Sequence, residues 1–221
     1  MHTGIPSKEE TRKNATMKIA MMLAFAVTAG VSANARQSEE NARLKVRVFV
    51  DNNAVQPSVL HLAEGIADRM FATAGVRIEW RGHSPEGGPP RGGALAIGLA
   101  SNTPEHLLPG ALAFARVYEG VHIDVFCDRL DRMAPGSKMA VPLLAHVLVH
   151  EITHMIQGID RHSESGVMKS CWTASDYAEM MSTPLPFTPQ DIQLIRLGLA
   201  ARARGETLAG ADSSSAAQDA Q

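Results

Sequence analysis

Nine histidines occur in this chain of 221 residues, and three of them fall within positions 150–162. The first two belong to His150-Glu151-Ile152-Thr153-His154, an H-E-x-x-H pattern. On a helix, side chains four residues apart lie one above the other, so both imidazoles can reach a single ion. Glu151 is rotated off that line. Its carboxylate can take a proton from water without ligating the ion, which is the arrangement that metal-assisted hydrolysis needs.

A catalytic metal site also needs a third protein ligand and one open position. Gly158 can end the helix in a left-handed conformation and turn the chain back towards the same ion. Two residues on the return path could then ligate, Asp160 and His162. The four residues after the glycine span at most about 14 Å, which is enough for His162 to fold back over the helix. Imidazole is the better zinc ligand, and being neutral it leaves the full charge of the ion in place. His162 is therefore the expected third ligand and Asp160 the alternative. Beyond them, Ser163 to Met168 is a short turn carrying a methionine, which is expected to be buried.

The flanking chain must supply a scaffold for this helix. Leu44 to Val50 alternates apolar and polar residues and predicts a strand. Pro57 opens an amphipathic helix to about Thr73, ended near Gly75. Val76–Trp80, Ala94–Leu99, Ala111–Val117 and Val121–Cys127 read as further strands, with a Gly/Pro-rich loop at 82–93 and another loop at 101–110. The long helix that bears the motif runs from about Lys138 to Gln157. Helices at 173–182 and from Pro189 to Arg204 follow, and the small polar tail 206–221 reads as disordered.

The pattern His150-Glu151-x-x-His154, Gly158, His162-Ser163 and Met168 resembles the metzincin class of zinc metallopeptidases, with Met168 similar to the Met-turn. The matrixin branch has a similarly compact His-Ser to Met arrangement. The tract from Val147 through Trp172 also resembles a group of uncharacterised bacterial secreted proteins. The spacing departs from the class, which usually places the glycine seven and the third histidine ten residues after the first. Here Gly158 lies at plus eight and His162 at plus twelve, while plus ten is Asp160. One metzincin family uses aspartate at that place. The resemblance implies an α+β fold of the zincin type. Its sheet would be mixed and mostly parallel with an antiparallel edge strand, packed on the active-site helix and followed by a small helical subdomain. It further implies a Zn2+ cofactor and a peptide or protein substrate lying along the strand Ala111–Val117.

Other residues carry weaker signals. His146, one turn before His150, reads as a packed or half-exposed helix residue, with support of a metal ligand as its other use. Tyr177 reads as a structural tyrosine, although tyrosines near the Met-turn stabilise the transition state in some metzincins. His122 alternates with Val121 and Ile123 and is expected on a sheet face with no metal role. Cys127 and Cys171 would form either one disulfide or two free thiols.

Composition narrows the setting. With 45% hydrophobic residues, 20% charged residues and a net charge of -2, the chain is neither a basic nucleic-acid binder nor an acidic disordered protein. Lys18, the apolar run Ile19–Val31 and Ala33-Asn34-Ala35 read as a signal peptide with cleavage after Ala35, and Met17 is an alternative start. The run of 13 residues is short of the roughly 20 that a spanning helix needs, so no stable membrane insertion is expected after cleavage. The expected organisation is an exported leader at 1–35, a catalytic domain at 36–205 and a tail at 206–221. The expected function is that of a secreted zinc-dependent endopeptidase with Glu151 as general base. The alternative is a non-catalytic exported binding module with a structural zinc site.

Overall fold

The computed structural model describes residues 44–82, 93–103, 107, 110–118, 121–133 and 137–205. The leader, most of the 82–93 loop, half of the 101–110 loop and the tail at 206–221 lie outside the described residues.

Strand β1 (Lys45–Asn52) carries the alternation forward into structure: Val46, Val48 and Val50 turn inward while Lys45 and Arg47 face out. Pro57 begins helix α1 (Pro57–Thr73), where its missing N–H costs nothing. Gly75, at φ 78°, reverses the chain into β2 (Arg77–Arg81). Strands β3 (Leu95–Ala100), β4 (Ala113–Ala115) and β5 (His122–Phe126) complete a five-stranded sheet in the order β2-β1-β3-β5-β4. The pairs β1/β2, β1/β3 and β3/β5 are parallel, with Val48 opposite Leu95 and Ile97 opposite Ile123. Only β4 runs antiparallel, with Ala113 opposite Val125, and it forms the edge. The α+β fold class, with a mixed and mostly parallel sheet ending in an antiparallel edge strand, is as the sequence implies.

Two elements differ from expectation. The strand expected at 111–117 is ordered as a ladder only over Ala113–Ala115. Cys127 ends no strand but starts a short helix, α2 (Cys127–Met133), that the sequence reading did not contain.

Helix α3 (Ser137–Gln157) is the spine of the molecule. Residues 138–157 are long and apolar enough to cross a bilayer by composition, yet 67% of that stretch is buried inside the protein. Its apolar residues serve the core: Leu144, Leu148 and Ile152 are fully enclosed with Phe71 of α1 and Leu95 and Ile123 of the sheet. Two further helices, α4 (Ala174–Met180) and α5 (Pro189–Ala203), each begin with a capping box, Thr173 with Asp176 and Thr188 with Asp191.

Helix α5 lies hard against the end of α3. A Cβ placed on Gly198 would stand 2.0 Å from the carbonyl oxygen of Ile156 and 3.0 Å from Cα of Gln157. Helix propensity alone would make Gly198→Ala stabilising by about 1 kcal/mol. Because the obstacle is backbone, overpacking should win, and a net destabilisation of about 2 kcal/mol or more is expected. The denaturant midpoint of the variant checks this. A midpoint at or above that of the wild type would refute the close approach.

Candidate metal centre

His150, Glu151 and His154 sit in the last two turns of α3. The helix stops at Gly158, whose φ is 69° and whose N–H is bonded to the His154 carbonyl at 2.9 Å. The chain then doubles back under His162. It is closed by a 2.7 Å bond from the Ser163 N–H to the Met168 carbonyl. Gly166, at φ 77°, makes the next turn with no room for a side chain, since a Cβ there would lie 2.2 Å from the Pro186 carbonyl oxygen.

This loop fixes the histidine tautomers. Nδ1 of His150 donates to the Val167 carbonyl at 2.9 Å, and Nδ1 of His154 donates to the Ile159 carbonyl at 3.2 Å. With each ring proton committed to a carbonyl, each Nε2 keeps a bare lone pair. Those two Nε2 atoms face each other at 3.0 Å. Neither has a proton to share, so the contact is not a hydrogen bond. It is the spacing of two ligands on one cation: nitrogens about 2.0–2.1 Å from a tetrahedral zinc lie roughly 3.3 Å apart.

His162 supplies a third ring, stacked at 5.3 Å from His150 and edge-on at 4.9 Å from His154. One nitrogen from each of the three lies within 4.8 Å of the others. Among the described residues, this is the group of His, Cys, Asp and Glu donors close enough to share an ion. Asp160 is exposed nearby and does not join it. Burial first, and the neighbouring His154 second, push the His150 imidazole down to about 3. Burial also holds His154 below its ordinary value. Both rings are thus neutral near pH 7, the state that binds metal. Two neutral imidazoles with facing lone pairs, and a third ring with a nitrogen within reach of both, fit zinc.

Glu151 lies one residue round the helix and opens on two cavities beside the triad. One, of about 310 Å³, is lined by Ala111, Leu112, Met133, Val147, Trp172 and Tyr177 among others. The second, of about 390 Å³, includes Phe114, Arg116, Tyr118 and Asp160. Burial pushes the Glu151 carboxyl up to about 8, against the pull of a hydrogen bond to the Ala115 backbone.

That bond follows from the sheet register. The N–H of Arg116 donates to the His122 carbonyl and the N–H of Phe126 to the Leu112 carbonyl. In an antiparallel ladder such pairs alternate, so residues 112, 114 and 116 bond inward to β5. The backbone groups of Ala113 and Ala115 therefore point out from the sheet edge, towards the cleft.

The remaining candidates fall into place around this centre. Met168 is fully buried. Tyr177 is half-buried at the cavity wall, where burial raises its phenol, and its ring stands edge-on to Trp172 at 6.4 Å. Trp172 is a residue that sequence reasoning did not single out. Its indole meets His150 edge-on at 5.7 Å and His146 at 6.3 Å, and aromatic character beside a metal motif is too weak a sequence signal to find it. His146 is fully buried, and neither of its nitrogens joins the triad. Nδ1 donates to the Pro142 carbonyl at 2.7 Å, and Nε2 accepts the Leu185 N–H at 2.9 Å, tying α3 to the chain before α5. His122 is exposed on β5. Cys127, whose thiol burial pushes up to about 12, and the exposed Cys171 are both free thiols.

No family model matches this chain, and no curated protein matches it. Among solved structures, it is similar to an archaemetzincin from Methanopyrus kandleri at 17% identity and a TM-score of 0.48, covering 71% of this chain and 96% of that one. It is also similar to an archaemetzincin from Archaeoglobus fulgidus, solved with malonate, at 12% identity and a TM-score of 0.48, covering 67% of this chain and 99% of that one.

Proposed function

We propose that this chain is an exported zinc-dependent endopeptidase. The observation that carries the reading is the His150–His154 pair, whose bare nitrogens face each other at 3.0 Å with a third imidazole alongside. His150, His154 and His162 would hold the ion. Zinc bound there supplies Lewis acidity, polarising a peptide carbonyl and making water nucleophilic near neutral pH.

The chain's own residues do the rest. An extended peptide would lie along β4 as an added strand, bonding to the outward backbone groups of Ala113 and to the Ala115 carbonyl, the Ala115 N–H being held by Glu151. That edge holds the scissile bond beside Glu151, which the positive charge of a bound ion would keep ionised despite its burial, so that its carboxylate accepts the proton of the attacking water and passes it to the leaving amine. The two cavities receive side chains on either side of the cut. Met168 packs within the loop that orients His150, and Tyr177 braces the cavity wall against Trp172, with donation to the developing oxyanion as its other use. A structural zinc site in a binding module has no use for a carboxylate at the mouth of a cleft, which favours the enzyme.

Metal analysis of the purified protein, beside cleavage of a generic peptide mixture, tests the reading. Chelation should abolish cleavage, and added zinc should restore it. Zinc-loaded protein that cleaves nothing would make the chain a binding module. Export carries its own expectation: protein recovered outside the cytoplasm should begin at Arg36, because the small-residue pattern ends at Ala35. An intact leader on exported protein would instead mean an anchored form.

A further inference from the structure

His150 and His154 are aimed directly, each by a carbonyl on its own Nδ1. His162 is held differently. Its side chain is exposed, and among the described residues its ring receives no hydrogen bond. Beyond its ring contacts with His150 and His154, what holds it acts through its neighbours in the chain.

Both neighbours lead to one atom. Oδ1 of Asp191 accepts the Ser163 hydroxyl at 2.6 Å and Nη1 of Arg161 at 3.2 Å. Asp191 is completely buried, although it stands at the start of α5, 29 positions after His162 in the chain. Its other oxygen is occupied differently: Oδ2 accepts the Thr188 N–H at 2.9 Å and the Thr188 hydroxyl at 2.7 Å, closing the capping box. Arg161 is further steadied by Gln190, which accepts from Nη2 at 2.7 Å. The Asp191 carbonyl, in turn, accepts from the buried Nε2 of Gln157 at the end of α3, at 3.4 Å.

One carboxylate thus serves two purposes. Oδ2 starts the helix, as any capping residue would, whereas Oδ1 grips the residue on each side of His162. The helix behind it cannot yield, because Gly198 already brings α5 into backbone contact with α3. We propose that Asp191 is the positioning residue for His162, anchoring the metal-binding loop to α5 and thereby setting the affinity for zinc. This inference rests on the zinc-site reading above.

A merely structural role would act on folding alone, so the test compares zinc affinity with stability. The dissociation constant for zinc is measured on the purified chain by competition with a chromophoric chelator, alongside thermal melting. Asp191→Ala should weaken zinc binding at least ~10-fold, the usual scale for groups that orient a ligand. Thr188→Ala, which loses the hydroxyl cap but leaves both Oδ1 contacts and the Thr188 N–H bond to Oδ2 in place, should lower the melting temperature and leave zinc affinity within about twofold. Combining Arg161→Gln with Ser163→Ala should reproduce the loss of affinity from the other side of the contact. That pair carries the test should Asp191→Ala fail to fold. In a His162→Ala background, Asp191→Ala should weaken the residual zinc binding no further. Unchanged affinity in both Asp191→Ala and the Arg161/Ser163 pair, or an equal loss without His162, would overturn the proposal while leaving the metal site standing. A wild-type chain that binds no zinc would overturn the metal site itself, and the proposal with it.

Discussion

Replacing Glu151 by glutamine is expected to leave zinc affinity unchanged and to slow peptide hydrolysis by at least ~10²-fold. The substitution keeps the size of the side chain and an oxygen able to accept from the Ala115 backbone. It removes the capacity to take up a proton. None of the three imidazoles touches the lost group through its own hydrogen bonds, since His150 and His154 are tied to Val167 and Ile159. Metal content and turnover should therefore separate cleanly. A glutamine variant that cleaves at the wild-type rate would end the hydrolase account. Loss of zinc with the fold retained would instead make Glu151 a ligand.

The second large effect is expected at the third ligand. His162→Ala should abolish tight zinc binding, while Asp160→Asn should keep the metal and most of the activity. The spacing leaves both residues as candidates, and they differ in one respect: a nitrogen of His162 lies within 4.8 Å of those of His150 and His154, whereas the Asp160 carboxylate is outside that group. Two histidines alone leave zinc short of the three protein ligands usual in a catalytic site. A zinc titration of both variants decides the matter. If Asp160→Asn loses the metal and His162→Ala keeps it, the ligand set is Asp160 with the helix pair, and His162 faces the substrate.

Local pattern made much of this molecule legible. Alternating valines define β1, Pro57 and Gly75 bracket α1, and the H-E-x-x-H spacing places three chemical groups on one helix. Where the pattern is short or polar, reading failed. Helix α2 is Cys-Asp-Arg-Leu-Asp-Arg-Met, with only Cys127 and Leu130 buried, too few apolar residues to show a helical period. The alternation at 111–117 overstates the edge strand, because register partners on β5 cover Ala113–Ala115 and the backbone bonds to it reach no further than Leu112 and Arg116. Long-range contacts left no trace at all. His146 is fully buried because Leu185 closes over it from 39 residues away, and Asp191 looks like a simple helix cap until the loop at 161–163 reaches its second oxygen.

X-ray absorption at the zinc edge of the purified protein reads out whether three imidazoles hold one zinc ion beside Glu151. One tightly bound zinc per chain is expected, with three imidazole nitrogens at about 2.0–2.1 Å and no sulfur neighbour. Sulfur at about 2.3 Å, or a shell with two imidazoles or fewer, would contradict it.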